Sequence, residues 1–516
     1  MTSKKTGSPR RFVRRAAKPI PVPALFATSL LAAALLAGCA STQGLAPATT
    51  PADAGTLAAS RSLAVGATSA TFPELQWWRA FGDPQLDALV AEALADAPSL
   101  QAADARVRQA QAQAGLADAA RKPTLGASAQ YTGIQIPETF VDPPMGGDLK
   151  FSPVLMLDFK YAPDLWGGKR AAYQAAVGQA RAAQVEAQAA RVTLASNVAN
   201  AYIALDQAYA ALDVANHERE RATQLAALGR QRVEAGIDNH MQMETGRSAT
   251  AAAAQQAGAA QQQVDALRNA LAALLGKGPD RGLSIERPQL RAATPGVPSV
   301  LPSELLGHRA DVVAARWRVE AAARGIDASK ASFKPSVNLS AIVGLTAPHF
   351  DDLFGSKAVL GFGGPALSLP IFDGGALRSR LAKSDADYDL AVAAYNQSLV
   401  GALREVADAV QALRSLDAQL ADAQRARDAA SAAWDVAVSR QRAGIGNRID
   451  ALVAQQPLLR LDQQLAALRA ARLQAAVELD RALGGGLVLE APATDIASAS
   501  NSDSDSDANL AKASTP

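Results

Sequence analysis

The chain repeats itself, and that limits its fold more than any local pattern does. The segment NVANAYIAL at 197–205 returns as EVADAVQAL at 405–413, a shift of 208 residues. The same shift carries Arg232, Gly236, Ile237 and Asn239 onto Arg440, Gly444, Ile445 and Asn447, and Leu275-Gly276 onto Leu483-Gly484. Upstream, Arg106-Val107 and Lys122-Pro123 match Arg318-Val319 and Lys334-Pro335 at a shift of 212. A spacing held over so long a stretch means one structural unit built twice. The copies run over 72–276 and 301–486, and the Pro- and Gly-rich residues 277–300 read as a linker between them. The Ser/Asp-rich residues 487–516 read as a disordered tail.

Each copy has the same order: a helical segment, two strands, a long helix, a tight turn and a second helix. The long helices begin near Gly168 and Gly375 and run to about 232 and 440. At ~1.5 Å per residue each spans roughly 100 Å. Val198, Leu205 and Leu212, with Tyr202 and Tyr209 between them, form one heptad ladder; Val392, Leu399, Val406, Leu413 and Leu420 form another. Alanine fills most other positions and lets neighbouring helices come close. Rods so rich in Gln and Arg do not cross a lipid core, so they stand in water and bundle sideways.

Between the helical segments lie four stretches of period two. Leu125, Ala127, Ala129 and Tyr131 alternate with Gly126, Ser128, Gln130 and Thr132; Phe151, Leu155, Leu157, Phe159 and Tyr161 alternate with Ser152, Asp158 and Lys160. Val337, Leu339, Ala341, Val343 and Leu345 alternate with Asn338, Ser340 and Gly344, and a looser strand covers 358–369. Such alternation fits a barrel strand with lipid outside and a polar lumen inside, and also a half-buried soluble sheet. Single-chain barrels need about eight strands, because an edge left open in hydrocarbon strands its backbone polar groups. Four strands in a membrane must therefore be completed by other copies, and three copies give twelve strands.

The start of the chain carries a targeting pattern. Residues 1–38 hold seven basic side chains and no acidic one; the basic stretch ends at Lys18 and is followed by an apolar, small-residue run from Ile20 to Ala37. The run ends in LLAGC at 35–39, which resembles a bacterial lipoprotein signal. Residues 1–38 are then a lipoprotein signal peptide, residues 39–71 a lipidated linker, and Cys39, the single cysteine, the lipidation site. Once processed, the chain has 44 basic against 49 acidic residues, a net charge of −5. No basic excess of the kind that phosphate backbones require remains, so no nucleic-acid partner is expected.

Several longer segments carry a family resemblance: LQWWRAFGDPQLDALV at 75–90, LPSELLGHRADV at 301–312, the PIFDGG corner at 370–375 and the paired Arg-x-x-x-Gly turns. In these the chain resembles the TolC-like outer-membrane efflux channel family, in its OprM/NodT lipoprotein branch. The resemblance implies a mainly α fold with a membrane β-barrel: a trimeric, twelve-stranded barrel, four strands per chain, continued by a long α-helical coiled-coil barrel in the periplasm. It implies an outer-membrane, lipid-anchored homotrimer in contact with outer-membrane lipid, a periplasmic adaptor protein and an inner-membrane RND-type pump. The function implied is a passive exit duct for small molecules. Gly236, Ile237, Gly444 and Ile445 would be the tips that meet the adaptor. Asp450 would be the periplasmic gate, where threefold symmetry makes a ring of three carboxylates that favours cations; it equally fits a helix-start carboxylate stabilised by the helix dipole. The chain departs from the family at His308 and Ala310, where Arg and Pro are usual, and at Val453, where a second Asp is common.

No enzyme signature is present. The four histidines are scattered, and neither a metal-ligand cluster nor a phosphate-cradling loop occurs. No cofactor is expected beyond the covalent lipid on Cys39. Two other readings stay open: the outer-membrane duct of a type I protein secretion system, and a structural lipoprotein without a pore.

Overall fold

The computed structural model describes residues 42, 44–53, 55, 57, 72–141, 143, 146–291 and 305–487. Cys39 lies outside them. Helices α1 (Pro84–Asp96) and α2 (Pro98–Ala119) precede strands β1 (Thr124–Gln135) and β2 (Leu149–Tyr161), then α3 (Gly168–Glu234) and α4 (His240–Leu274). The second copy gives α5 (Ala310–Ala331), β3 (Ser336–Thr346), β4 (Val359–Ser368), α6 (Ala376–Arg442) and α7 (Arg448–Ala482). The long helices have equal lengths, 67 residues in α3 and α6 and 35 in α4 and α7. The first helical segment is broken at Ala97 into two helices. Ala97 precedes Pro98 and is forced to an extended ψ of 128°, because the proline ring clashes with a helical residue before it.

The two copies of the sequence are not the two compact units. One unit collects Ala120–Ala171 and Ile326–Asp385; the other collects the residues from Pro47 to Ala119, Ala172–Gly325 and those from Ala386 onward. In the first unit the strands form one antiparallel sheet in the order β1-β2-β3-β4. Its two strand-to-helix corners share a design. Asp164 accepts hydrogen bonds from the amides of Lys169 and Arg170 at 3.2 and 2.7 Å, and Asp373 accepts them from Gly375 and Leu377 at 3.0 and 2.6 Å. Both corners turn on a glycine at positive φ, Gly167 at 74° and Gly374 at 66°, where a Cβ would be strained.

In the second unit the heptad ladders form the core. Val198, Tyr202 and Leu205 of α3 are fully buried against Leu86 and Leu89 of α1, Leu271 of α4 and Val477 of α7. Val406 and Val410 of α6 pack on Ala476 and Leu479 of α7, and Val392, Tyr395 and Leu399 of α6 pack on Val312 and Val319 of α5. Each such side chain contributes about 1.5–3 kcal/mol on leaving water. Asp83, the N-cap of α1, accepts hydrogen bonds from Gln85 N (2.9 Å), the Tyr202 hydroxyl (2.7 Å) and Gln289 N (2.7 Å). One buried carboxylate thereby fixes α1, the middle of α3 and the chain beyond α4. Burial, with Asp83 beside it, pushes the Tyr202 hydroxyl well above its usual pKa.

Candidate functional site

The ladder sorts the side chains of the sheet by parity. Leu125, Ala127, Ala129 and Tyr131 stand opposite Phe159, Leu157, Leu155 and Pro153. Leu155, Leu157 and Phe159 stand in turn opposite Leu345, Val343 and Ala341, which face Val359, Gly361 and Gly363. Successive side chains project to opposite faces, so odd-numbered residues share one face, and that face carries no charge on any strand. It is also open: Leu125 is 74% exposed, Leu157 51%, Val343 56% and Leu367 74%. The even-numbered face holds Lys150, Asp158 and Lys160 together with serines, threonines, Asn338 and Gln130. A water-soluble sheet of this size would bury its apolar face; this one presents it outward, as a barrel strand presents its apolar side to lipid.

Aromatic side chains mark both ends of the apolar face. At the hairpin end, Tyr131 stacks on Phe151 and Phe350 with ring centroids 5.3 and 5.4 Å apart. At the other end, Tyr161 closes β2, and the Trp166 indole donates to the Pro335 carbonyl at 2.6 Å with the Lys334 ammonium 4.9 Å over its ring. Phe151 and Tyr161 are ten residues apart on one strand, or about 33 Å at ~3.3 Å per residue. Tilted by about 40°, that strand covers roughly 25 Å, the height of an outer-membrane apolar band. Pro153 sits one residue beyond the β2–β3 ladder, which starts at Val154, and Pro365 sits on the outermost strand, β4, both positions where a missing N–H is tolerated. The outer edges of β1 and β4 have no partner strand in the four-stranded sheet.

The two helix reversals are built alike. At the end of α3 the Ile237 amide donates to the Arg232 carbonyl at 2.8 Å and Gly236 to Val233 at 2.9 Å; at the end of α6 Ile445 donates to Arg440 and Gly444 to Gln441, both at 3.1 Å. This is a Schellman cap, which needs the left-handed residue that Gly236 and Gly444 supply at φ 73°. Asn239 and Asn447 then cap the returning helices through Gln242 N (3.2 Å) and Asp450 N (2.7 Å). The residue after the glycine usually packs back on its helix, yet Ile237 is 63% and Ile445 71% exposed. The charges differ. Arg232 grips Asp238 at 2.6 and 3.1 Å and holds its carboxyl below the usual range, whereas Gly446 takes the place of Asp238 beside Arg440.

Asp450 lies in the first turn of α7, exposed, one turn before the exposed Val453. Two contacts flank it: Arg448 reaches Gln224 of α3 at 3.1 Å, and the buried Arg221, paired with Glu218 at 2.6 Å, donates to the Leu452 carbonyl at 3.3 Å.

Two sets of residues carried no sequence signal. Residues 48–52 lie along α6: Asp389 accepts hydrogen bonds from the amides of Ala48 (3.0 Å) and Thr49 (2.9 Å) and from the Thr49 hydroxyl (2.6 Å), while Asn396, two turns on, accepts from Ala52 N (2.8 Å). The buried Arg309 binds Asp311 (2.6 Å), Glu405 (2.9 Å) and the Ala482 carbonyl (3.1 Å), joining the start of α5 to α6 and α7. Among the described residues no helix is long and apolar enough to cross a membrane, and no cluster of His, Cys, Asp or Glu is suited to a metal ion.

Comparisons with known proteins agree with this arrangement. The model of the family described as outer membrane efflux protein matches residues 89–277 and 301–485, one segment in each copy. The chain is 39% identical to the fusaric acid resistance protein FusA of Burkholderia cepacia over 369 residues, 70% of this chain and 69% of that protein. It is 34% identical to the pyoverdine export outer membrane protein OpmQ of Pseudomonas aeruginosa, covering 89% and 96% of the two chains. It is 31% identical to the multidrug resistance outer membrane protein MdtP of Shigella flexneri, covering 81% and 88%. Among solved structures, the outer membrane protein VceC of Vibrio cholerae superposes with a TM-score of 0.72 at 36% identity over 80% of this chain and all of its own. The outer-membrane channel OprN gives 0.72 at 27% identity, covering 87% and 98%. With its family model spanning both copies and its relatives matched along most of their length, the chain belongs to the outer membrane efflux protein family.

Proposed function

We propose that this chain is the outer-membrane exit duct of a tripartite efflux system, a passive conduit that works as a homotrimer. One observation carries the reading: a four-stranded sheet with an uncharged, exposed face and two open edges. In hydrocarbon those edges must pair, and β4 of one copy meeting β1 of the next satisfies them and closes a twelve-stranded wall. Relatives named for multidrug resistance and pyoverdine export favour small molecules over proteins as cargo.

The other assignments follow from this one. Acylated Cys39 anchors the chain, and the segment from Ala48 to Ala52 ties that anchor to α6 through Asp389 and Asn396. The tips at Gly236, Ile237, Gly444 and Ile445 offer exposed isoleucines on rigid glycine turns, a surface suited to an apolar patch on a periplasmic adaptor. An RND-type inner-membrane pump supplies the energy. Three copies of Asp450 ring the periplasmic end and favour cations.

Purified protein reconstituted in planar bilayers tests the reading. Discrete single-channel steps and a cross-linked species of three chains are expected. A monomer with no conductance would refute it.

A further inference from the structure

The even-numbered face of the sheet is polar at its two ends and not in its middle. One ladder row runs Gly126, Asp158, Ile342, Phe362, and the next runs Ser128, Met156, Gly344, Leu360. In the first row the charge is drawn aside. Asp158 pairs with Lys160 at 2.9 Å and leans over Gly126, where a Cβ would come within 2.5 Å of its Oδ1. In the second row Met156 lies over Gly344, with its Cγ 3.0 Å from where that residue's Cβ would stand. Both displacements leave a continuous apolar strip across three strands, Met156 of β2, Ile342 of β3, and Leu360 and Phe362 of β4. The strip is not covered: Phe362 is 60% and Leu360 40% exposed.

The occupant follows by elimination, on the reading of the chain as an exit duct. Lipid takes the odd-numbered face, neighbouring copies take the edges of β1 and β4, and the even-numbered face meets only water and whatever passes. Water gains nothing from a phenyl ring, a thioether and two branched alkyl groups set side by side. We infer that Met156, Ile342, Leu360 and Phe362 form a transient binding strip in the barrel lumen for the apolar, aromatic part of amphipathic cargo. The aromatic ring offers stacking, the methionine adapts its shape, and threefold repetition sets three such low-affinity patches around the lumen at one height, weak enough to let a departing molecule leave.

The test uses the full-length trimer in planar bilayers, with ethidium, a planar aromatic cation, against tetramethylammonium at equal concentration. Ethidium should interrupt the potassium chloride current for measurable dwell times and tetramethylammonium should not. The triple variant Ile342→Thr, Leu360→Thr, Phe362→Ser should keep its open-channel conductance and shorten ethidium dwell times roughly tenfold, the loss of about 1.4 kcal/mol of contact. Ser128→Phe, which widens the strip beside Met156, should lengthen them. Unchanged dwell times in both variants would overturn the strip while leaving the duct standing, and wild-type protein that opens no channel would overturn both.

Discussion

The chain closes the same corner twice with opposite chemistry. In the first copy the end of α4 meets the junction of α1 and α2, where Gly276 sits against Pro98 and the Asp96 carbonyl. In the second copy the end of α7 meets the start of α5, where Gly484 sits against the His308 carbonyl. Aligned by the repeat, Ala97, Ala270, Ala272 and Ala273 of the first corner become Arg309, Glu478, Asp480 and Arg481 in the second. The first corner is alanine, with two ion pairs outside it, Lys277 to Asp96 and Arg281 to Glu92, both at 2.8 Å. The second holds a buried guanidinium: Arg309 to Asp311 and Glu405, Arg481 to Glu405 at 3.2 Å and to Glu478 at 2.8 Å. Burial pushes Asp311 up, but Arg309 wins and holds its carboxyl below the usual range. One backbone design thus tolerates either filling. The charged one fixes three helices at defined atoms, and it fails badly when a single partner is lost.

The largest effect should come from that asymmetry. Arg309→Ala, which copies Ala97 into the second corner, leaves Asp311 without its guanidinium and Glu405 with Arg481 alone, and should cost about 3–5 kcal/mol, read as a lowered unfolding midpoint of the purified protein in detergent.

Asp480 comes next. Burial pushes its carboxyl up to about 7 from 3.8, so the folded state holds a proton that the unfolded chain has already released. Its contribution to stability is therefore full below about pH 4 and lost as pH rises through about 7, by at most roughly 4 kcal/mol. Wild-type protein should melt at a lower temperature at pH 8 than at pH 5. Asp480→Ala, the first copy's residue, should flatten that slope; an unchanged slope would place the titration elsewhere.

The glycines give a smaller effect. Gly276 at φ 72° and Gly484 at φ 103° both lack room for a Cβ. Replacement by alanine should cost about 1–3 kcal/mol in thermal unfolding. Gly484→Ala should cost more, because its obstacle is a peptide carbonyl and not the edge of a proline ring. At the bottom of the series, Lys277→Ala removes only a solvent-exposed pair and should leave the unfolding midpoint where it was.

Much of this architecture was legible in the residues because it is periodic. The heptad ladder marked Val198, Tyr202 and Leu205 as core, period two marked the strands to within a few residues of their ends, and the repeat placed both glycine turns. The break at Ala97-Pro98 was missed because a helical pattern continues on either side of it. The Arg309 network was illegible because Arg309 and Glu405 lie 96 positions apart and charged residues at a helix start ordinarily face water. The contact of Asp389 with Thr49 spans 340 positions and follows no repeat, so only the folded chain brings it together. The apolar strip at Phe362 was hidden for another reason: the looseness of the β4 pattern left its parity unassigned until the ladder fixed it.

The central claim is that odd-numbered residues of the sheet face lipid and even-numbered residues face water. Single cysteines at Ala127, Ser128, Ala341, Asn338, Val343 and Ala366, labelled in proteoliposomes with a membrane-impermeant maleimide, test it most directly. Fast labelling at 128, 338 and 366 with protection at 127, 341 and 343 is the expected result. Equal labelling at all six positions would show that no lipid covers either face, and the membrane wall would have to be abandoned.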